Sequence, residues 1–284
     1  MGLFSDMEKL GLGHYSEAEI IEKNKNMRNA NVDPDVEQAA KQLERKEEDY
    51  IFDKKYTCPV CDLGFTSKCV KSGKIKLSGH DTDLRPTYEF MDPLKYDVVA
   101  CAYCGYSSLT RYYGRLSMRQ IKELKMSIGN KFRGLPDIEG AYSYDDAITR
   151  HKLAVLCSVV KGAKNGERAY TCLKTSWILR GKRLTLDENS AEYKEILKDE
   201  IDCIKNAYEG FVLAISNEPF PIAGMDESTL KYIMADLARK LKKYEESAKL
   251  LASVLTSKAT NHRLKDAALE LKELLKKDVA SDRR

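Results

Sequence analysis

The feature that most constrains this chain is a repeated cysteine spacing, Cys58-Pro59-Val60-Cys61 and Cys101-Ala102-Tyr103-Cys104. In a Cys-x-x-Cys turn both thiolates can meet one ion, and two such turns supply the four sulfurs of a closed tetrahedral zinc site. Gly105 directly follows the second pair, where a tight turn often needs a positive φ. The spacing therefore predicts that Cys58, Cys61, Cys101 and Cys104 hold a structural Zn²⁺ ion within a zinc ribbon.

Iron is the alternative metal, because four thiolates hold iron as well as zinc. Residues 101–106 match a half-site of the rubredoxin electron-transfer proteins. The long spacer and Pro59 depart from the rubredoxin pattern, and we therefore prefer zinc. With either metal, four protein ligands leave no open position for a substrate or an activated water, so the site itself predicts no catalysis.

No other motif indicates an enzyme. Lys71-Ser72-Gly73-Lys74 lacks the first glycine of a phosphate-binding loop, and strand-like residues follow it rather than a helix. The four histidines give no Ser-His-Asp arrangement; they are His14, His80, His151 and His262. His151 falls at a packing position of a helical segment. We therefore expect a protein without enzymatic activity.

Composition limits the cellular setting and the partners. The chain has 284 residues, 43% of them hydrophobic, and its 48 basic and 44 acidic residues leave a net charge of +4. That charge is too small to mark a nucleic-acid binder by itself. No apolar run is long enough for a membrane span, and no secretory signal is visible. Eight cysteines without an export signal fit a reducing cytoplasm, so we expect a cytoplasmic protein without a membrane segment.

The character of the sequence changes twice, which predicts three parts. Residues 1–49 are charge-rich and read as an N-terminal helical arm or linker, with a helix starting at Asp33-Pro34. Residues 50–116 form the zinc-ribbon region, with strands leading into both cysteine turns and a hairpin of residues 65–70 and 74–77. Residues 117–284 are helical. The fold class is therefore α+β: a small four-cysteine β region followed by an all-α array.

The helical part has an internal pattern. Three segments carry the small–large–small spacing of second helices in tetratricopeptide repeats, where small residues allow paired helices to pack closely. Their residues are Ala147, His151 and Ala154; Ala207, Phe211 and Ala214; and Ser247, Leu251 and Val254. A final amphipathic segment over residues 264–275 would cap the array. The copies are irregularly spaced, so a generic helical bundle remains the alternative.

A polar cluster lies between the cysteine pairs: His80, Asp81, Asp83 and Arg85. Clustered histidine and carboxylate side chains can bind a second metal or form a polar site. More often such a pattern is a loop held by contacts of its aspartates with the backbone and with arginine. We favour this structural interpretation and regard the cluster as the best place to look for function outside the metal site.

Aromatic and basic residues follow the second cysteine pair. Tyr106, Arg111 and Arg115 could stack bases and pair with phosphates, as zinc ribbons that bind nucleic acids do. Tyrosines at the junction of a ribbon and a helix serve interdomain packing as often. Nucleic-acid binding therefore stays an alternative function.

The chain resembles the bacterial domain-of-unknown-function family 2225. The resemblance rests on residues 56–61, 70–74, 81–88, 93–99 and 101–106, and extends to the helical half with Trp177. It implies a cytoplasmic bacterial protein with a metal-bound ribbon, and it carries no activity or catalytic residue. Together with the helical pattern, it leads us to expect a non-enzymatic scaffold that binds a protein or peptide partner through its helices. A nucleic-acid-binding ribbon and an iron electron-transfer protein are the alternatives.

Overall fold

The computed structural model describes residues 45–282 and begins with three antiparallel pairs of short strands. β1 pairs with β2, β3 with β4, and β5 with β6. The strands are β1 Ile51–Thr57, β2 Gly64–Val70, β3 Leu77–His80, β4 Pro86–Tyr88, β5 Val98–Ala100 and β6 Ser107–Leu109. Short 3-10 turns cover Glu47–Tyr50, Pro93–Tyr96 and Thr110–Tyr112.

Seven α-helices and their connections follow in the described chain, which confirms the α+β class. They are α1 Met118–Leu124, α2 Tyr144–Val160, α3 Asn165–Arg183, α4 Ala191–Asn217, α5 Glu227–Lys240, α6 Tyr244–Thr256 and α7 His262–Asp282. A π-turn, Lys125–Gly129, continues α1 directly. Within residues 45–282, none of the helices is long and apolar enough to cross a membrane.

Side-chain caps fix where these helices begin. At the start of α2 the Ser143 hydroxyl accepts the Asp146 N–H at 3.1 Å, and the Asp146 carboxylate accepts the Ser143 N–H at 3.0 Å. Ser190 and Asp226 cap α4 and α5 in the simpler one-way form. Such caps satisfy backbone donors that lack partners in the first turn of a helix.

The helical core contains the positions that the repeat pattern singled out. Ala147, Ala207 and Ala214 are fully buried, as are the larger Phe211 and Leu251. A side-chain carbon placed on Gly210 of α4 would lie 2.9 Å from the Ala169 Cβ of α3. Small residues therefore bring these two neighbouring helices into close contact.

The predicted hairpin of residues 65–70 and 74–77 is wrong. Residues 65–70 belong to β2, which pairs with β1 in the register Ile51↔Val70 to Thr57↔Gly64. Leu77–His80 pairs instead with Pro86–Tyr88. The turn at Gly73 is present, with a φ of 71°, but it joins two separate strand pairs. Strand β1 is the nearer partner because the first cysteine pair folds the chain back onto it.

The predicted three-part division is only partly covered by the described residues. The arm of residues 1–49 lies outside them except for residues 45–49. A compact unit begins at Tyr50 and includes both the strands and the helices. The boundary between residues 116 and 117 stays a prediction.

Candidate metal centre

Each cysteine pair lies at the tip of a β-hairpin. The first turn, residues 58–63, follows the strand pair Thr57↔Gly64, and the second turn, residues 101–106, follows the strand pair Ala100↔Ser107. Both tips therefore have the same length, and each strand pair holds the ends of its turn at a fixed distance.

The two turns also share one backbone pattern. In each turn, the N–H of the first cysteine donates to the carbonyl of the residue five positions later. The N–H of the residue four positions later donates to the carbonyl of that first cysteine. The bonds are Cys58 N to Leu63 O (3.0 Å), Asp62 N to Cys58 O (2.9 Å), Cys101 N to Tyr106 O (2.8 Å) and Gly105 N to Cys101 O (3.0 Å). Asp62 and Gly105 accordingly both have positive φ, 61° and 73°. The site is thus built from two copies of one local structure.

The hairpins bring the four predicted sulfurs together. The Sγ atoms of Cys58 and Cys104 are 3.5 Å apart and those of Cys61 and Cys101 3.7 Å apart. All four lie within 4.8 Å of one another. Tetrahedral zinc with Zn–S bonds of about 2.3 Å requires sulfur separations of about 3.8 Å. The donor set and its spacing therefore fit a metal ion, and all four cysteines are free of disulfides.

The surroundings of the sulfurs favour one thiolate even before a metal binds. Hydrogen bonds from the Cys104 and Cys58 thiols lower the pKa of Cys101, and the hydrogen bonds of Cys104 with Cys101 and Cys58 raise the pKa of Cys104. The Val60 N–H also donates to the Cys58 sulfur at 3.4 Å. A divalent cation would displace the remaining protons, because a metal deprotonates the thiols that bind it.

A fifth cysteine supports the second turn without joining the group of four. Cys157 of α2 accepts the Ser107 N–H at 3.3 Å and donates to the Gly105 carbonyl at 3.6 Å. Burial raises its pKa to about 11, so it stays a neutral thiol. Leu124 and Ile128 pack into the same apolar cluster as the cysteines. The centre is therefore enclosed by α1, its π-turn and α2.

The predicted polar cluster is a buried ion network rather than an open site. Asp83 has no exposed surface, and its Oδ2 lies 2.6 Å from Arg180 Nη2 and 2.7 Å from Lys240 Nζ. Asp81 also contacts Arg180, at 2.9 Å, and Arg85 at 3.4 Å. Burial by itself would raise the pKa of Asp83, but the charges of Lys240 and Arg180 hold it well below its usual range.

The network joins the β3–β4 hairpin to three helices. Arg180 of α3 also binds Glu200 of α4 at 2.8 Å, and Lys240 of α5 binds Asp236 at 2.8 Å. Thr82 at the hairpin tip donates to Asp236 at 2.8 Å. These helical partners could not be predicted, because a charged residue on a predicted helix carries no sign in the sequence that it is buried.

His80 lies apart from this network. Its side chain is exposed and lines a groove of about 760 Å³ between the hairpin tip, α5 and α7. The structure thus brings together Asp81, Asp83 and Arg85 but does not add the histidine that a second metal site would use.

The residues predicted to contact nucleic acid differ in exposure. Tyr106 is 1% exposed and packs against Tyr113 beside the cysteines, so the prediction that its ring stacks a base is wrong. Its ring belongs to the apolar cluster that surrounds the cysteines. Arg111 and Arg115 are exposed, and the Arg111 guanidinium lies 5.1 Å from the centre of the Tyr170 ring.

Comparison with protein families finds a match over most of the chain. A family model described as an uncharacterised protein conserved in bacteria (DUF2225) matches residues 51–275. This range includes both cysteine turns, the ion network and the helices as far as α7. No curated protein and no solved structure matches the chain.

Proposed function

The chain belongs to the family of uncharacterised proteins conserved in bacteria (DUF2225), and we propose that it is a non-enzymatic interaction protein with a structural zinc centre. The observation that carries the proposal is the group of four cysteine sulfurs, all within 4.8 Å of one another. Four protein ligands close the coordination shell, so a bound ion would stabilise the fold and would not activate water.

We assign the β region to the zinc-ribbon type. The support is the pair of hairpins with matching turns, each delivering two cysteines to one point. Zinc is preferred over iron because the long spacer between the cysteine pairs and Pro59 depart from the rubredoxin pattern. The free state of all eight cysteines supports a reducing cytoplasm as the working compartment.

The metal is tested by elemental mass spectrometry on protein purified without a metal-affinity tag. We expect about one zinc ion per chain, and Cys58→Ser and Cys101→Ser should each lose it with a large loss of stability. Cys203→Ser is the matched control, because Cys203 lies on α4, outside the group of four. Iron with visible colour would favour electron transfer, and protein that is stable without any metal would contradict a structural centre.

The helices are proposed to form a tetratricopeptide-like array that binds a partner. Paired helices with small residues at the contacts support this, for example the Ser247 hydroxyl of α6, which donates to the Ala235 carbonyl of α5 at 2.8 Å. The β3–β4 hairpin tip fills the surface between α3 and α5. The binding surface must therefore lie elsewhere on the array.

The groove between α6 and α7 is the surface we propose. It has a volume of about 510 Å³ and a mainly apolar lining that includes Leu251, Leu255, Leu275 and Val279. Lys272 lies at its edge and forms no ion pair within residues 45–282. This lining fits an amphipathic peptide segment of a partner protein, with apolar anchors and an acidic flank.

The interaction is tested with a variant that fills the groove without touching the core. Ala252 lines the groove and is exposed, so Ala252→Glu adds bulk and negative charge there. Ala191→Glu, at the first turn of α4, is the control with the same chemical change. A partner identified by crosslinking in cells should bind the purified wild type and the control, and should bind Ala252→Glu at least about tenfold more weakly. Equal binding by all three proteins would rule out this groove.

A further inference from the structure

A second surface of the molecule carries an unbalanced charge. Between Arg111 and Arg133 the sequence has seven basic residues and a single acid, Glu123. Six of these basic residues define what we call the basic face: Arg115, Arg119, Lys122, Lys125, Lys131 and Arg133. All six are exposed, and none forms an ion pair with any residue in the described part of the chain.

Packing of α1 keeps these side chains outward. Leu124 and Ile128 are buried in the cluster around the cysteines, and the Gln120 amide donates to the Lys161 carbonyl at 3.0 Å. Arg119 and Lys122 are three residues apart, on the opposite side of the same helix. Because the inner side is fixed against the metal centre, the outer side presents its charges to solvent.

The same surface continues to the second cysteine turn. A side-chain carbon on Gly105 would meet the Phe132 ring at 2.7 Å, and the Leu135 N–H donates to the Ala102 carbonyl at 3.1 Å. Residues 131–135 therefore run along this turn, and Lys131 and Arg133 flank Phe132. Tyr103 protrudes from the turn with 56% of its surface exposed.

We propose that the basic face and Tyr103 bind single-stranded nucleic acid. Phosphates would pair with the unneutralised lysine and arginine side chains, and the exposed tyrosine ring offers a π-face on which any base can stack. The metal centre would hold the Tyr103 ring and the lysine and arginine side chains of the basic face at a constant separation. This function is independent of the proposed peptide groove between α6 and α7.

A membrane surface is the competing polyanion, and the structure favours it less. Interfacial helices insert an apolar face into the bilayer. Leu124 of α1 and Ile128 of its π-turn are already buried in the protein, which leaves Met118 and Met126 as the exposed large apolar side chains of this segment. An exposed aromatic ring beside the charges also fits a nucleobase.

The test is fluorescence anisotropy of the metal-loaded full chain with a labelled 20-nucleotide oligouridine at 50–200 mM KCl. With about four phosphates contacted, the slope of log affinity against log salt should be about −3, and affinity should fall about 50-fold over this range. No binding at 50 mM KCl, or binding without a salt slope, would overturn the proposal.

Four variants locate the site. Arg119→Glu with Lys122→Glu should weaken binding at least about tenfold, whereas Lys205→Glu with Lys249→Glu, the same charge change on α4 and α6, should leave it within about twofold. Tyr103→Ala should weaken binding by about 5- to 100-fold, and Tyr103→Phe should retain it. Equal weakening by both charge reversals, or equal binding by both Tyr103 variants, would contradict this site.

Vesicles containing phosphatidylglycerol distinguish the competing polyanion. We expect the protein to prefer the oligonucleotide over these vesicles at equal salt. Vesicle binding that is lost with Arg119→Glu and Lys122→Glu, in a protein that does not bind oligouridine, would replace the proposal with a membrane surface.

Discussion

Replacing Asp83 by asparagine should destabilise the protein by about 3 kcal/mol. The side chain is fully buried, and its Oδ2 lies 2.6 Å from Arg180 Nη2 and 2.7 Å from Lys240 Nζ. Removing one partner of a buried ion pair costs about 3–5 kcal/mol, because the remaining charge stays buried without compensation. Arg180 keeps Glu200 at 2.8 Å and Lys240 keeps Asp236 at 2.8 Å, so the cost should fall at the lower end of this range.

The assay is urea-induced unfolding of the metal-loaded protein at pH 7. Asp53→Asn is the control, because the Asp53 side chain is 58% exposed and its pair with Lys68 spans 3.2 Å; such a pair contributes less than about 1 kcal/mol. The double variant Asp83→Asn with Lys240→Met should lose less stability than the sum of its single changes. If Asp83→Asn costs no more than Asp53→Asn, the cluster is not a structural anchor and the search for a ligand there should reopen.

Three further outcomes are expected. Gly105→Ala should weaken both stability and metal retention more than Gly114→Ala does. Both glycines have positive φ (73° and 80°), but only at Gly105 would the new carbon strike the Phe132 ring, at 2.7 Å. Equal melting temperatures of the two variants would refute this. Burial lowers the pKa of His151 to about 4 from 6.5. The stability gained by burying the neutral imidazole is therefore complete above pH 6.5. As the pH falls towards 4, the free energy of unfolding should decrease by about 1.4 kcal/mol per pH unit. His151→Gln should remove that part of the pH dependence in urea titrations at pH 7, 6 and 5, and parallel curves for both proteins would show that another group titrates. A strong chelator should lower the melting temperature in proportion to the zinc released, which thermal scans with a metal indicator would follow; release without destabilisation would argue against a structural ion.

The convergence of the four cysteines could be predicted from the sequence because it depends on local spacing. Cys58 and Cys61 need only one turn to converge, and a second turn of the same kind supplies the other two sulfurs. The strand before the first turn was predictable for a similar reason. Its β-branched and aromatic residues and its end at the cysteine pair are both local properties.

The ion network could not be predicted, because its members are distant in the sequence. Asp83 and Arg180 are separated by 97 positions, and Asp83 and Lys240 by 157. A lysine near the end of a helix is usually solvated, so the sequence alone favours an exposed Lys240. Which helix the hairpin tip meets depends on how the whole array packs.

Tyr106 illustrates the limit at the level of one side chain. An aromatic residue two positions after a metal ligand suits either stacking on a base or packing against the centre. In the structure Tyr106 packs against the centre, in the cluster that also contains Leu124 and Cys157. The neighbouring Tyr103 instead faces outward, and the residue types alone do not distinguish the two.

The separation of Asp83 from Lys240 also sets an order of events during synthesis. A ribosome adds about 5–20 residues per second, so the 157 positions between them take about 8–30 s to make. Both cysteine turns are complete early in that interval, while the carboxylate of Asp83 is still in water. A nascent chain can therefore capture the proposed metal ion first, and the hairpin tip becomes anchored only after α5 has been translated. A ribosome-stalled chain that ends before α5 should carry the ion while its β3–β4 hairpin remains open to proteolysis.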